Sequence, residues 1–304
     1  MSWQPAEDPS QAGDARCEPV DIVIEPRVRD LGNFEVRRVL PSAKRRMVGP
    51  FVFLDQMGPT TLAPGKALDV RPHPHIGLAT VTWLLEGEIM HRDSVGSVQS
   101  IKAGELNWMT AGRGIVHSER TPEHLRSKNS PLYGLQLWVA LPKAHEETEP
   151  AFAHYGAADL PQIEDEGRKV TLIVGAGWGK RSPVMTVWPT FFADAAIKAD
   201  ATLTVPANIA ERAVYILEGE LEVAGATFAP GRLLVLKGGR AVDLRARTAA
   251  RLVIVGGDAM DGPRHIWWNF VSSSQARIER AKADWKAGRF AAVPGDADFI
   301  PLPE

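Results

Sequence analysis

The chain has 304 residues, 44% of them hydrophobic and 24% charged, with a formal net charge of −2. That length suffices for one large or two ordinary domains with a substantial core. The near-neutral balance gives no general attraction to nucleic acid or to an anionic membrane, no run reaches the length of an apolar membrane span, and the single cysteine, Cys17, excludes an intramolecular disulfide.

Residues 1–18 carry acids, Pro and Gln without a cationic start or an apolar block. They read as a mobile polar tail rather than a secretory signal, and a cytoplasmic protein is expected. From Val20 the pattern changes to short apolar runs at 20–24, 34–40 and 51–54, separated by Pro, Gly, Asp or Asn, the pattern of strands joined by turns. The basic cluster of Arg37, Arg38, Lys44, Arg45 and Arg46 is offset by acids elsewhere and reads as a solvated face.

The stretch from Arg71 to Glu119 is the richest in chemistry. It opens with Arg71-Pro72-His73-Pro74-His75-Ile76-Gly77, runs through a strand at 79–85, a turn at Glu86-Gly87-Glu88 and a second strand at 106–110, and ends with His117-Ser118-Glu119. Side chains two apart on a strand share a face. His73 and His75 therefore aim together, as do His117 and Glu119, and two strands that meet would gather three imidazoles and a carboxylate. A first domain is expected over 19–141. Residues 142–168, charged and Pro-bearing, read as a connector.

A second domain is expected over 169–270. It opens on a strand that runs into Gly175, Gly177 and Gly179, but the spacing fits neither nucleotide-binding glycine pattern, and a turn is the reading. An internal repeat joins the halves: Val81-Thr82-Trp83-Leu84-Leu85-Glu86-Gly87-Glu88 matches Val214-Tyr215-Ile216-Leu217-Glu218-Gly219-Glu220, and Lys102-Ala103-Gly104-Glu105-Leu106 resembles Ala229-Pro230-Gly231-Arg232-Leu233. Shifted with those turns, the four candidate ligands fall on Val205, Ala207, Leu244 and Ala246. A histidine needed only for folding would recur in both copies, so the metal site belongs to the first domain alone. The last segment, 271–304, is expected to hold a helix near 273–287, opened by a capping box at Ser272-Ser273-Ser274-Gln275, and then an extended arm. With few other helical periodicities, the fold class is all-β, a sandwich or barrel in each half.

Imidazole suits Zn, Cu, Fe and Ni, and one carboxylate shifts the set toward Fe(II), Mn or Ni. The absence of thiolate ligands disfavours a structural zinc site. Four protein ligands, His73, His75, His117 and Glu119, leave two positions of an octahedral shell for a substrate oxygen and for O2 or water. Glu119 is the ionisable ligand able to loosen and accept a hydroxyl proton, and so is the candidate catalytic residue. Apolar neighbours suit a flat aromatic substrate, and Phe53, Trp83, Trp108 and Met109 are the candidate lining. His91, His124, His145, His154 and His265 read as packing or surface residues.

His73-Pro74-His75, Val81-Thr82-Trp83-Leu84-Leu85-Glu86-Gly87 and the run from Trp108 to Glu119 resemble the pirin family, as do Arg38-Val39-Leu40-Pro41, Gly49-Pro50-Phe51 and Gly134 to Val139. The resemblance spans about residues 20–290. It implies a bicupin, two tandem jelly-roll barrels with a metal, usually iron, held in the first by His73, His75, His117 and Glu119. It also implies either an Fe(II)-dependent quercetin 2,3-dioxygenase-like enzyme or an iron- and redox-dependent transcriptional co-regulator that binds a protein partner. A metal-assisted isomerase or hydrolase on the same scaffold is a third expectation. Two departures stand out. Ala79 and Thr80 sit where general cupins carry a ligand glutamate, which leaves Glu119 as the carboxylate. Ile76-Gly77-Leu78-Ala79 makes the wall after the histidines less polar than in many pirins.

Overall fold

The computed structural model describes residues 19–30 and 35–303. The expected tail with Cys17, and the start of the 34–40 run, lie outside the described residues. Along the first half run β1 (Val20–Ile24), β2 (Arg27–Asp30), β3 (Glu35–Leu40), β4 (Phe51–Leu62), β5 (Asp69–His75), β6 (Leu78–Glu86), β7 (Glu88–Asp93), β8 (Val98–Lys102), β9 (Leu106–Thr110), β10 (Ile115–Arg120), the short helix α1 (Glu123–Arg126), β11 (Ser130–Ala140) and β12 (Ala151–Tyr155). The second half holds β13 (Gln162–Glu164), β14 (Arg168–Val174), β15 (Ala176–Gly177), β16 (Lys180–Arg181), β17 (Thr190–Ile197), β18 (Thr202–Val205), β19 (Glu211–Glu218), β20 (Leu221–Val223), β21 (Ala226–Phe228), β22 (Leu233–Leu236), β23 (Val242–Ala246), β24 (Ala250–Gly257), β25 (His265–Trp267), β26 (Phe270–Ser272) and α2 (Gln275–Lys286).

Two jelly-roll barrels result, each a seven-stranded sheet facing a four-stranded one. The first sets β12-β9-β6-β11-β4-β3-β2 against β5-β10-β7-β8, and the second sets β1-β22-β19-β24-β17-β14-β13 against β18-β23-β20-β21. The matched repeat is this common strand order. Each barrel borrows an edge from outside its own sequence block. β1 pairs with β22 of the second barrel, although it precedes the first, and β12 pairs with β9 of the first. The stretch 142–168, expected as a connector, thus supplies a strand to each barrel, since β13 pairs with β14.

Strand alternation decides which residues meet. On β6, Ala79, Val81, Trp83 and Leu85 turn to a core shared with the second barrel, where they meet Phe192, Tyr215 and Val253. The alternate residues Thr80, Thr82 and Leu84 turn into the first barrel, as the bond from Thr82 to Glu119 shows. The barrel-to-barrel seam also carries hydrogen bonds: Trp83 Nε1 donates to Asp194 Oδ2 at 3.2 Å, and Tyr215 Oη to Gln56 Oε1 at 2.6 Å.

The chain then returns to the first barrel. Ile76 bridges Phe270, and Val271 N–H donates to the Ile76 carbonyl. Helix α2 buries Ile278 and Ala281 against Ile76 and Phe270. Its N-cap is Ser274, whose side chain accepts from Arg277 N–H. The expected capping box does not form, because Ser272 and Ser273 instead bind the buried Glu146 carboxylate. The arm beyond the helix runs back across β5 and β10: Arg120 holds Asp296 through two hydrogen bonds, and Ile300 N–H donates to the Pro72 carbonyl. Among the described residues no helix is long and apolar enough to cross a membrane.

Candidate metal centre

His73, His75 and His117 come together because β5 and β10 are antiparallel neighbours with His117 directly opposite His73 and Ile115 opposite His75. A register shift between His117 and Glu119 carries Glu119 to a position opposite Val70. The ring centroids stand 4.4 Å apart for His73 and His117, 5.0 Å for His73 and His75, and 5.0 Å for His75 and His117. One ligand atom from each of the three lies within 4.8 Å of the others. Glu119 reaches His117 within the same span, in a second group that also contains His91.

The hydrogen-bond pattern leaves this cluster one consistent role. His73 Nδ1 lies 2.8 Å from the Arg71 carbonyl, and His75 Nδ1 lies 3.2 Å from the Asn269 carbonyl. A carbonyl only accepts, so both rings carry their proton on Nδ1 and keep the lone pair on Nε2. The Nε2 atoms of His75 and His117 are buried without a partner among the described residues. Such orphaned acceptors cost free energy unless something electrophilic fills the space between them. A divalent cation fits that requirement, and the protonation chemistry agrees. Burial lowers His73 to about 4 and holds His75 and His117 well below the usual imidazole range, each also disfavoured by its neighbouring rings. The cluster is therefore neutral and ready to ligate.

Glu119 is the anionic partner. Burial raises its carboxyl above the ordinary range, opposed by His91 and by Thr82. Thr82 Oγ1 lies 3.1 Å from Glu119 Oε1 and 2.9 Å from Gln136 Oε1. With one hydroxyl proton to give, Thr82 serves the carboxylate best when the Gln136 amide is turned to donate to it.

The four candidate lining residues divide by strand face. Phe53 and Met109 belong to the apolar cluster inside the first barrel, with Trp138, Ile115 and Leu78. Phe53 stacks on Trp138 at 4.0 Å, and Trp138 meets His75 edge-on at 5.3 Å. Trp83 and Trp108 correct the sequence reading. Both lie on the opposite face, in the core shared with the second barrel, because each is one residue out of phase with the inward-facing Thr82 and Met109. Trp138, Phe152 and Gln136 take their place near the cluster. Their inward direction follows from β11 and β12 pairing with β6 and β9, which no local motif announces.

His91 is the other residue that the sequence reading missed. It is buried beside His117, stacks on Phe152 at 4.5 Å and places Nε2 2.9 Å from Asp93 Oδ2, which accepts from it. The pairing of β7 with β10 sets Glu119 opposite His91 and His117 opposite Asp93. The His91-x-Asp93 alternation was the available signal, but its meaning depends on that non-local pairing.

The second barrel supplies the control. Leu244 pairs with Leu203 as His117 pairs with His73, and Val242 with Val205 as Ile115 with His75. The counterparts of His73 and His75 are thus Leu203 and Val205, two residues earlier than the turn-based alignment places them. Leu203, Val205, Leu244 and Ala246 all lie in one apolar cluster that fills the second barrel.

Comparison with known proteins agrees with this architecture. Residues 33–139 match the pirin family, and residues 192–291 match the pirin C-terminal cupin domain. A pirin-like protein of Caulobacter vibrioides is 50% identical over 94% of this chain and 100% of its own length. Pirin-1 of Arabidopsis thaliana is 33% identical over 83% of this chain and 86% of its own. In three dimensions the chain is similar to quercetin 2,3-dioxygenase from Acinetobacter baumannii, with a TM-score of 0.86 and 34% identity over 93% of this chain and 95% of that one.

Proposed function

The chain belongs to the pirin family, and from that membership and the His73, His75, His117 and Glu119 cluster we propose that it is an Fe(II)-dependent dioxygenase acting on a flavonol or a related hydroxy-aromatic. The observation that carries the reading is the pair of buried Nε2 atoms on His75 and His117, without a partner among the described residues, inside a barrel whose twin is filled by apolar side chains. When bound, the ion would supply Lewis acidity and a route for electrons between an aromatic enolate and O2. The similarity to quercetin 2,3-dioxygenase supports the substrate class.

The chain's own residues would then do the following. His73, His75 and His117 hold the ion through Nε2, while the Arg71 and Asn269 carbonyls keep two of the rings in the ligating tautomer. Glu119, its carboxyl raised by burial, accepts the hydroxyl proton of the substrate, and Thr82 orients it. Phe53, Met109 and Trp138 offer an apolar wall for a planar ring and limit water. Fe(II) is proposed over Zn, Mn, Ni and Cu on the mixed imidazole and carboxylate set. A reducing cytoplasm, the compartment we assign, would keep it in the ferrous state.

The test is aerobic incubation of quercetin with iron-loaded protein, followed by flavonol absorbance. Loss of the absorbance that disappears in His117→Ala supports the reading, and an unchanged spectrum with fully metallated protein counts against it. Enclosure favours a second reading. With His73, His75 and His117 only 7%, 1% and 1% exposed, a bound ion would be enclosed by its ligands. A metal-dependent regulatory binding protein without turnover would need no wider entrance, and a partner captured only by the metallated form would identify it.

A further inference from the structure

His117 differs from the other two histidines of the cluster. The rings of His73 and His75 are set by backbone carbonyls, whereas Nδ1 of His117 faces Nδ1 of His91 at 3.4 Å. Two ring nitrogens in contact require a proton on one and a lone pair on the other. The choice is made at the far end of His91, where Nε2 lies 2.9 Å from Asp93 Oδ2. Asp93 Oδ1 is occupied by the backbone N–H groups of Val95 and Ser97. A carboxylate that already accepts from two backbone N–H groups is held as the anion. An ionised carboxylate can only accept. His91 must then carry its proton on Nε2 and present a bare Nδ1, and His117 must donate from Nδ1 and keep its lone pair on Nε2.

We propose that Asp93 and His91 are positioning residues that select the ligating tautomer of His117 through this two-step hydrogen-bond chain. The device is written into the sheet register, since β7 lies beside β10 with Asp93 opposite His117 and His91 opposite Glu119. It replaces the backbone carbonyl that His117 lacks, and it is therefore open to side-chain substitution. The inference rests on His117 being a metal ligand. Its first readout, however, concerns the metal-free protein and is independent of catalysis.

Asp93→Asn is the sharpest probe. The amide oxygen of the new side chain would stay with Val95 and Ser97, so its nitrogen would face His91 Nε2 and donate. His91 would then hold its proton on Nδ1, and His117 would be driven to carry its own on Nε2. Nitrogen-15 NMR of histidine-labelled, metal-free protein should show His117 protonated at Nδ1 in the natural chain and at Nε2 in Asp93→Asn. Affinity for nickel(II), a redox-stable probe of imidazole sites, should fall about 10- to 100-fold, the usual loss when an outer partner of a metal-bound histidine is removed. Because Asp93 also shapes its own turn, a second pair guards against misfolding. His91→Leu should lose nickel affinity, and His91→Gln, which can accept from His117 and donate to Asp93, should recover most of it. Unchanged His117 protonation in Asp93→Asn, or wild-type nickel affinity in both Asp93→Asn and His91→Leu, overturns the proposal. So does a second nickel ion per chain that is lost in His91→Leu, because His91 would then be a ligand. If His117→Ala binds nickel as tightly as the natural chain, the metal centre itself is misassigned, while the NMR result still judges the hydrogen-bond chain.

Discussion

Acid should destabilise the metal-free protein well before its carboxylates titrate. In the unfolded chain a histidine takes a proton near pH 6.5, whereas burial lowers His73 to about 4 in the fold. The neutral ring is what the fold accepts, so protons bind the unfolded state preferentially as the pH falls below 6.5. The stability contributed above that value is lost progressively down to the folded value. For His73 alone the difference reaches roughly 2 kcal/mol at pH 5, from the ratio of the two binding polynomials. His75 and His117, held lower still by burial and by their neighbours, add in the same direction. Glu119 opposes them, because its raised carboxyl protonates more readily in the fold than in the unfolded chain. Urea denaturation of metal-free protein at pH 7.5, 6 and 5 measures the sum, and nickel(II) in excess should raise the whole curve through linkage to the native state. A free energy of unfolding that stays flat between pH 7.5 and 5 would refute the reasoning, since it would mean that the three rings are hydrated and free to charge.

Three further outcomes follow from particular contacts. Gly77 has a φ of +66°, and a Cβ there would overlap the Val271 carbonyl oxygen. Gly77→Ala should cost about 2 kcal/mol or more in chemical denaturation, from the left-handed conformation and the forced shift of β26. It should also weaken nickel binding, because the displaced hairpin carries the Asn269 carbonyl that holds His75. Trp83→Phe should lower stability by about 1 kcal/mol through the lost bond to Asp194, with nickel affinity unchanged, since the ring faces the second barrel. A large drop in affinity would return Trp83 to the site. Arg120→Ala removes the bonds to Asp296 and Asp298, and faster amide exchange at Ile300 is expected, with a loss of about 1 to 2 kcal/mol in global stability because the Arg120–Asp296 pair is partly buried.

Much of the centre was legible because its geometry is local. His73 and His75 share a face by being two apart, as do His117 and Glu119, and the period-two rule needs no knowledge of the rest of the fold. The repeat was equally readable, and its missing histidines located the centre in one half. Errors began where a strand's face had to be known absolutely. Trp83 and Trp108 are apolar, adjacent to inward-facing residues and buried, so composition alone could not tell the lumen from the seam. Only the tertiary pairing of two barrels buries both faces of β6 and β9. His91 was lost for the same reason, since its neighbour on β10 lies 28 residues away in sequence. The placement of β1 on the second barrel and of β12 on the first depends on edge pairing, for which neither strand carries a local signal.

The two barrels show what each core demands. Both use the same strand order, yet Leu203, Val205, Leu244 and Ala246 fill one with aliphatic groups that need no partner. The other places imidazoles and a carboxylate at equivalent positions, where every buried polar atom must be answered. Those answers come from across the whole chain. Arg71 acts from the ligand strand itself, Thr82 from the facing sheet, and Asp93 through His91 from the next strand. Asn269 acts from the hairpin that follows the second barrel. The second barrel therefore contributes more than a seam. It delivers the segment whose carbonyl sets the tautomer of His75, α2 packs that segment against Ile76, and the returning arm bonds Pro72 of β5. A first barrel alone would keep its ligands in sequence but lose one of the groups that orients them. This gives a chemical reason for a second barrel with apolar residues at the equivalent positions to remain joined to the one that could bind a metal.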